Sequence, residues 1–304
     1  MSAIPKLFVT AATGQLGRGV IGALREHVPA AAIVAGVREA SLDTPAVAAL
    51  REQGIEVRVA DYTQPATLAN AFEGIDRLLL ISGNDIGHRV PQHRHVIDAA
   101  KAAGVTLLAY TSILHADTSP LFLAEEHRDT EQALIASGVP YVLLRNGWYT
   151  EVFTWRLPAA LASGVLAGAS GEGRTSSAAR ADYARAAAVV LATEGHAGQV
   201  YELAGDASFT LGELAALARK VTGKPIVYHD MAPAAFHDAS VEQGVPEPFA
   251  RILSDTDAGV AQGALFDTSG TLSRLIGRPT TPYQDTIGAF LTAPSHGDGN
   301  TGHG

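Results

Sequence analysis

Short runs of β-branched and aliphatic residues recur along the first half of this chain, and each is followed by a stretch with helical spacing. The first apolar run is Leu7-Phe8-Val9, and similar runs fall at 33–37, 56–60, 77–81, 106–110 and 141–145. Helical stretches lie between them at 17–27, 45–53, 65–72, 91–103 and 123–137. Gly54, Gly74, Gly104 and Gly138 stand just past helix ends, and Pro45, Pro65 and Pro91 stand near helix starts. Strand and helix alternating this regularly predict an α/β protein with a parallel sheet covered on both faces. Right-handed crossovers make that sheet doubly wound, of the Rossmann type.

The second half is less regular. Helices are expected at 156–164 (with Pro158 in the first turn), 182–193, 210–223, 236–244, 247–263 and 268–276, and strands at 199–203 and 225–229. Thr210 and Glu213 have the spacing of a capping box. Residues 168–174 read as a loop, and 294–304 lack apolar periodicity and read as a mobile tail. The organisation expected is a nucleotide-binding domain over 1–150, to which later strands return, and a smaller α/β lobe over 151–293 that mainly binds substrate.

Composition narrows the function. The 304 residues are 47% hydrophobic, enough for a sizeable core. The net charge of −9 argues against a general nucleic-acid binder, which needs a basic face. There is no cysteine, which excludes disulfides, thiol nucleophiles and cysteine metal sites. No leader and no membrane-spanning run is evident, so a soluble cytoplasmic protein is expected. His88, His93 and His95 lie close in sequence without a completing carboxylate, so no metal site is expected.

Ligands of doubly wound sheets bind beyond the carboxyl ends of the strands. The first such place is the turn Ala11-Ala12-Thr13-Gly14-Gln15-Leu16-Gly17. Open N–H groups at a helix start favour an anion, and small residues let a pyrophosphate approach. Ala11 takes the place of the first glycine of a Gly-x-x-Gly-x-x-Gly fingerprint, leaving Gly14 and Gly17. Arg38 follows the second strand, where a cation pairs with the 2′-phosphate of NADP, unless it is a solvated loop charge. Arg18 could add a second cation. Asp61 and Tyr62 follow the third strand, as an adenine contact or a helix cap. Ser82 and Gly83 follow the fourth, as room for ribose and pyrophosphate or as a simple turn.

Tyr110, Thr111 and Ser112 follow the fifth strand, at the mouth of the expected nicotinamide site. No tyrosine has lysine four residues on: Tyr110 has Leu114, Tyr141 has Arg145 and Tyr149 has Phe153. The usual Tyr–Lys route of alcohol oxidation is therefore not expected, and Tyr110 is either catalytic or a buried strand-end aromatic. Asn146 and Gly147 follow the sixth strand, and Asn146 could bond a carboxamide or a substrate oxygen. Trp148 and Tyr149 offer flat faces for an aromatic ring, or form a core pair. His127 is a candidate proton source, and it could hydrogen-bond Glu131 along one helix face.

These residues together resemble the NmrA-like group of atypical short-chain dehydrogenases, in particular its quinone- and dye-reducing members, over roughly residues 6 to 290. The resemblance rests on Ala12-Thr13-Gly14-Gln15-Leu16-Gly17, Val37-Arg38, Ala60-Asp61-Tyr62 and Leu79-Leu80-Ile81-Ser82. It rests most on His115-Ala116-Asp117-Thr118-Ser119-Pro120 and Leu144-Arg145-Asn146-Gly147-Trp148-Tyr149. It implies NADPH held by the first turn, Arg38 and the strand ends, with the segment from Leu143 to Trp148 lining the cofactor and Arg180 beside it. It implies hydride transfer without flavin to a quinone or similar conjugated acceptor, in a cleft between the large domain and the C-terminal lobe. The partners expected are that small molecule and at most a second copy of the chain. Some relatives instead sense NADP(H) and bind a protein partner without turnover, which is the alternative. Where the family has glycine, Ala11 fits if its φ stays negative and strains the turn if it does not.

Overall fold

A computed structural model describes residues 4–293; the tail expected at 294–304 lies outside them. Nine strands form: β1 (Leu7–Val9), β2 (Ile33–Val37), β3 (Glu56–Val59), β4 (Arg77–Leu80), β5 (Leu107–Ile113), β6 (Tyr141–Asn146), β7 (Val165–Gly168), β8 (Val200–Leu203) and β9 (Val227–Asp230). Seven make one sheet in the order β3-β2-β1-β4-β5-β6-β8, with every neighbouring pair parallel. β7 and β9 pair separately, also parallel. The order reverses between β1 and β4, which opens a crevice at their carboxyl ends.

The central strands read as continuous apolar runs because both faces of the sheet are covered. Leu7 and Val9 of β1 point into one core cluster, with Val20 and Leu24 of the helix Gln15–Leu24 and Ala187 and Val190 of the helix Arg180–Ala192. Phe8 points the opposite way, to Leu68, Phe72, Val96 and Leu134 of the other helical layer. A third cluster joins Phe153, Leu157, Phe209, Leu214 and Ile287. Those residues come from the chain after β6, and Phe153 and Phe209 among them line the cleft described below.

The expected elements are present with small shifts. β5 runs on to Ile113, so Tyr110, Thr111 and Ser112 stand inside the strand and not after it. The helix expected at 156–164 forms as Leu157–Ser163 with Pro158 in its first turn, and a 3-10 segment, Thr150–Arg156, leads into it. The Thr210–Glu213 capping box forms in full. β7 and the helix Tyr283–Thr292 are additions that the sequence pattern did not indicate.

The turn after β1 carries strain. Ala11 adopts φ 48°, the left-handed region that disfavours a Cβ. Its carbonyl accepts from Gly14 N–H at 3.0 Å, which closes the turn. Gly17 is required by space: a Cβ there would stand 2.4 Å from Ala11 O and 2.9 Å from Ala12 Cα. Gly17→Ala is expected to destabilise the protein by about 1–3 kcal/mol through overpacking against backbone. Ala11→Gly is expected to stabilise it by up to about 1 kcal/mol, the left-handed cost less the glycine entropy. Urea unfolding of the two variants checks both signs, and a stable Gly17→Ala would contradict the geometry.

Candidate functional site

Two places meet at the carboxyl edge of the sheet: the groove beyond β1, β2 and β4, and an apolar cleft beyond β5 and β6. The groove begins at the helix Gln15–Leu24. Gly14 is its N-cap and no side chain caps it, so the first-turn N–H groups of Gln15, Leu16 and Gly17 are open to a ligand. Leu16 itself points into the core, while Thr13, Gly14 and Gln15 are at least partly accessible. Arg38 and Arg18 are exposed, and neither side chain has a protein partner among the described residues.

The crevice is fastened by Thr10. Its hydroxyl donates to Leu79 O (3.0 Å) and accepts from Ile81 N–H (2.9 Å). The Tyr62 hydroxyl lies 2.5 Å from Thr10 Oγ1 and 2.9 Å from Ile81 O, so that ring is tethered beside the groove. Asp61 turns to its own loop: Oδ1 accepts from Thr63 N–H (2.9 Å) and from the Thr63 hydroxyl (2.7 Å). Asp61 is not a helix cap, since Gln64 is the N-cap of the helix Pro65–Ala71 and no side chain caps it; the loop contacts compete against an adenine contact.

Gly83 stands in a turn held on both sides: its N–H donates to His93 Nε2 (2.9 Å) and its carbonyl accepts from Arg89 Nε (2.7 Å). Ser82 does reach the cleft, with its N–H on Thr111 Oγ1 at 2.8 Å. Leu143 is a correction. It lies three residues before the end of β6, and its side chain is 1% exposed in the core with Tyr110 and Leu134. It cannot line a groove at the strand ends. Arg180 stands behind the site: its guanidinium lies 4.8 Å over the Tyr149 ring and 3.9 Å from Glu151, and its N–H bonds the Glu151 carboxylate.

The cleft has a volume of about 430 Å³ and separates into two ends by chemistry. The inner end holds Ser82, Thr111, Ser112, His127 and Asn146; the outer end is walled by aromatic and aliphatic side chains, Trp148, Tyr149 and Phe209 among them. Asn146 is 7% exposed, and its Oδ1 is buried with no protein partner. An orphaned acceptor of this kind carries a desolvation cost of about 1–3 kcal/mol, which a ligand donor would remove. Gly147 lets the chain pass under Tyr183, whose hydroxyl would be 3.0 Å from any Cβ.

Tyr110 and His127 form a pair, with the phenol oxygen 2.8 Å from His127 Nδ1. Tyr110 is fully buried, but through His127 it connects to the cleft. Burial first, then the nearby Arg89 charge and His93, push the imidazolium of His127 well below its usual range. Burial also raises the Tyr110 phenol well above its usual value. Both groups are therefore neutral at ordinary pH. His127 and Glu131 share one helix face but do not bond each other. Glu131 instead accepts from Ser112 Oγ (2.5 Å) and from Arg145 Nε (3.0 Å) and Nη2 (2.7 Å).

Sequence spacing placed Trp148 and Tyr149 but missed the rest of the outer wall and the groups that fix the inner end. His93 is one: Nδ1 lies 3.0 Å from Thr130 Oγ1 and Nε2 accepts from Gly83, so the ring ties the loop after β4 to the helix Phe122–Ser137. Among the described residues no cluster of three His, Cys, Asp or Glu is placed to hold a metal ion, and no helix is long and apolar enough to cross a membrane.

An open helix start after β1, free cations beside it and an orphaned amide oxygen at the end of β6 suit a dinucleotide. A family model described as NAD(P)H-binding matches residues 11–194. The chain belongs to this NAD(P)H-binding family. Quinone oxidoreductase 2 of Escherichia coli K12 is 53% identical over 280 residues, covering 92% of this chain and 96% of that protein. The crystal structure of the NADPH-dependent E. coli quinone oxidoreductase complexed with NADPH superposes with a TM-score of 0.91 at 51% identity, over 94% of this chain and 100% of that one. The triphenylmethane reductase of Citrobacter sp. complexed with NADP(H) gives 0.86 at 38% identity, over 92% and 98%.

The buried neutral histidines set a pH dependence. Burial, with Arg89 nearby, pushes His93 down to about 3, and His127 moves the same way. The folded protein then keeps these rings unprotonated while the unfolded chain protonates them near pH 6.5. The stability they contribute is complete above that pH and falls as pH drops, by about 1.4 kcal/mol per pH unit for each ring, until the folded-state value is reached. Urea unfolding between about pH 7 and about pH 5 should show this slope, and it should be shallower in His93→Gln. An equal slope in both proteins would refute the assignment.

Proposed function

We propose that this protein is an NADPH-dependent reductase of quinones or similarly flat, uncharged, conjugated acceptors, working without flavin and acting in the cytoplasm. The observation that carries the reading is the cleft at the ends of β5 and β6. Its inner end offers neutral hydrogen-bonding groups, and its only charged lining residues, Arg156 and Asp257, pair with each other at 2.7 Å. Such a site receives a planar apolar ring with a carbonyl oxygen at the inner end and selects against charged acceptors.

The residues fit the cofactor. The open start of the helix Gln15–Leu24 would hold the pyrophosphate, Gly17 allows the close backbone turn, Arg38 would pair with the 2′-phosphate, and Asn146 Oδ1 would accept from the carboxamide. When bound there, NADPH supplies a hydride, and the reduction of a quinone to a hydroquinone needs one proton more. Asn146 orients the reacting partners, so proximity is a large share of the catalysis. Tyr110 donates its hydroxyl to His127 Nδ1, and the ring then holds its hydrogen on Nε2, the nitrogen left to the cleft. That N–H bonds the acceptor oxygen and stabilises the negative charge that develops on it. The pair does not give up a net proton, because burial opposes a phenolate at Tyr110. The one proton that completes the hydroquinone enters from water at the cleft mouth.

A nucleotide sensor without turnover would leave the aromatic cleft without a purpose, and relatives at 53% and 38% identity are named for reductions. The test is steady-state NADPH oxidation with a series of quinones. Turnover with NADPH preferred over NADH is expected. Arg38→Ala should lower kcat/KM for NADPH by roughly tenfold to a hundredfold, the worth of a charge-assisted contact, and leave NADH little changed. Tight NADPH binding with no turnover on any quinone would overturn the reductase reading. Equal use of both nucleotides before and after the substitution would overturn the role of Arg38.

A further inference from the structure

The cleft runs from its inner hydrogen-bonding groups to an apolar mouth. Its mouth is formed by Trp155 and Phe249, on the segment Thr150–Arg156 and the helix Glu247–Ala261, with ring centroids 5.8 Å apart. Both are large apolar side chains open to solvent, at 38% and 41% exposure. Leu253 and Val260 of the same helix continue the lining inward, both nearly fully buried.

This mouth is held in a fixed shape. Arg156, next to Trp155, makes a two-bond clasp with Asp257, Nη1 to Oδ2 at 3.0 Å and Nη2 to Oδ1 at 2.7 Å. Asp257 Oδ2 also accepts from Ala169 N–H at 2.9 Å. The Arg156 guanidinium lies 5.5 Å from the Trp155 ring and 5.4 Å from the Phe236 ring. The clasp ties the 3-10 segment, the end of β7 and the helix Glu247–Ala261 together. It also leaves the two charges satisfied by each other, so neither is free to bind a ligand carboxylate or ammonium.

From this we infer that the Trp155–Phe249 mouth is a second binding subsite, which takes an apolar substituent on the acceptor, an alkyl chain or a fused aromatic ring, and so makes substituted quinones preferred over bare benzoquinone. The inference rests on the quinone-reductase reading of the inner end. Apolar area removed from water at the mouth supplies the preference, while the inner hydrogen bonds are common to both kinds of acceptor. Arg156 and Asp257 are positioning residues for the subsite and do not touch the reacting atoms.

The experiment compares decyl-substituted benzoquinone with benzoquinone in the wild-type protein, in Trp155→Ala and in Trp155→Ala/Phe249→Ala. The ratio of their kcat/KM values should favour the decyl compound in the wild type. It should fall about tenfold in the double variant, and Trp155→Phe should retain most of it. Calorimetry with decylhydroquinone and hydroquinone, under argon, reads the same preference as binding and needs no turnover. Loss of the affinity difference in the double variant is expected whether or not the protein reduces quinones. An unchanged ratio and an unchanged affinity difference in the double variant would overturn the subsite. A wild-type protein that binds the decyl compound preferentially but reduces neither quinone would overturn the reductase reading and leave the subsite standing.

Discussion

The inner end of the cleft depends on one buried guanidinium. Arg145 stands immediately before Asn146 on β6 and bonds Glu131 through two nitrogens, Glu202 at 2.8 Å and Asp117 at 3.0 Å. Glu131 belongs to the helix that carries His127 one turn earlier, and Glu202 belongs to β8. A single cation therefore fixes the helix bearing the proposed hydrogen-bond donor against the strand bearing the orphaned amide. Desolvation opposes the charge, but the two glutamates outweigh it and hold Arg145 protonated. Leaving such a group unpaired in the interior costs about 3–5 kcal/mol. The same residues thus secure the sheet edge and aim the site.

A comparable economy governs the cofactor groove. Thr10 uses one hydroxyl to fasten β1 to β4 where the strand order reverses, and Tyr62 is anchored on it. The turn that follows accepts a left-handed alanine so that the helix can start within contact of the strand. Strain and an open helix start occur together where an anion is expected, a combination common at functional turns.

Most of the sheet was legible because its central strands are buried on both faces and read as plain apolar runs. β5 was read too short. Tyr110, Thr111 and Ser112 look like residues beyond a strand, but each hydroxyl finds a partner inside, at His127, Ser82 and Glu131. β7 was missed because a four-residue run between Gly164 and a loop has no period of its own and pairs only with β9. At the site, Asn146, Trp148 and Tyr149 could be placed from their position after a strand. The outer wall could not: Trp155, Phe209, Phe249 and the Arg156–Asp257 clasp converge from segments up to about a hundred residues apart, and no local spacing encodes that. Leu143 failed for the same reason in reverse, since its side chain packs in the core with Tyr110 and Leu134.

In the proposed reaction His127 faces the acceptor as a neutral ring with its hydrogen on Nε2, kept so by burial and by the Tyr110 hydroxyl on Nδ1. The most direct test is the nitrogen-15 NMR spectrum of the His127 imidazole, assigned by comparison with a His127→Gln variant. One protonated nitrogen, Nε2, is expected, with no change as the pH falls from about 8 to about 5, a range in which an ordinary histidine titrates. A hydrogen on Nδ1, or an imidazolium appearing within that range, would contradict that role.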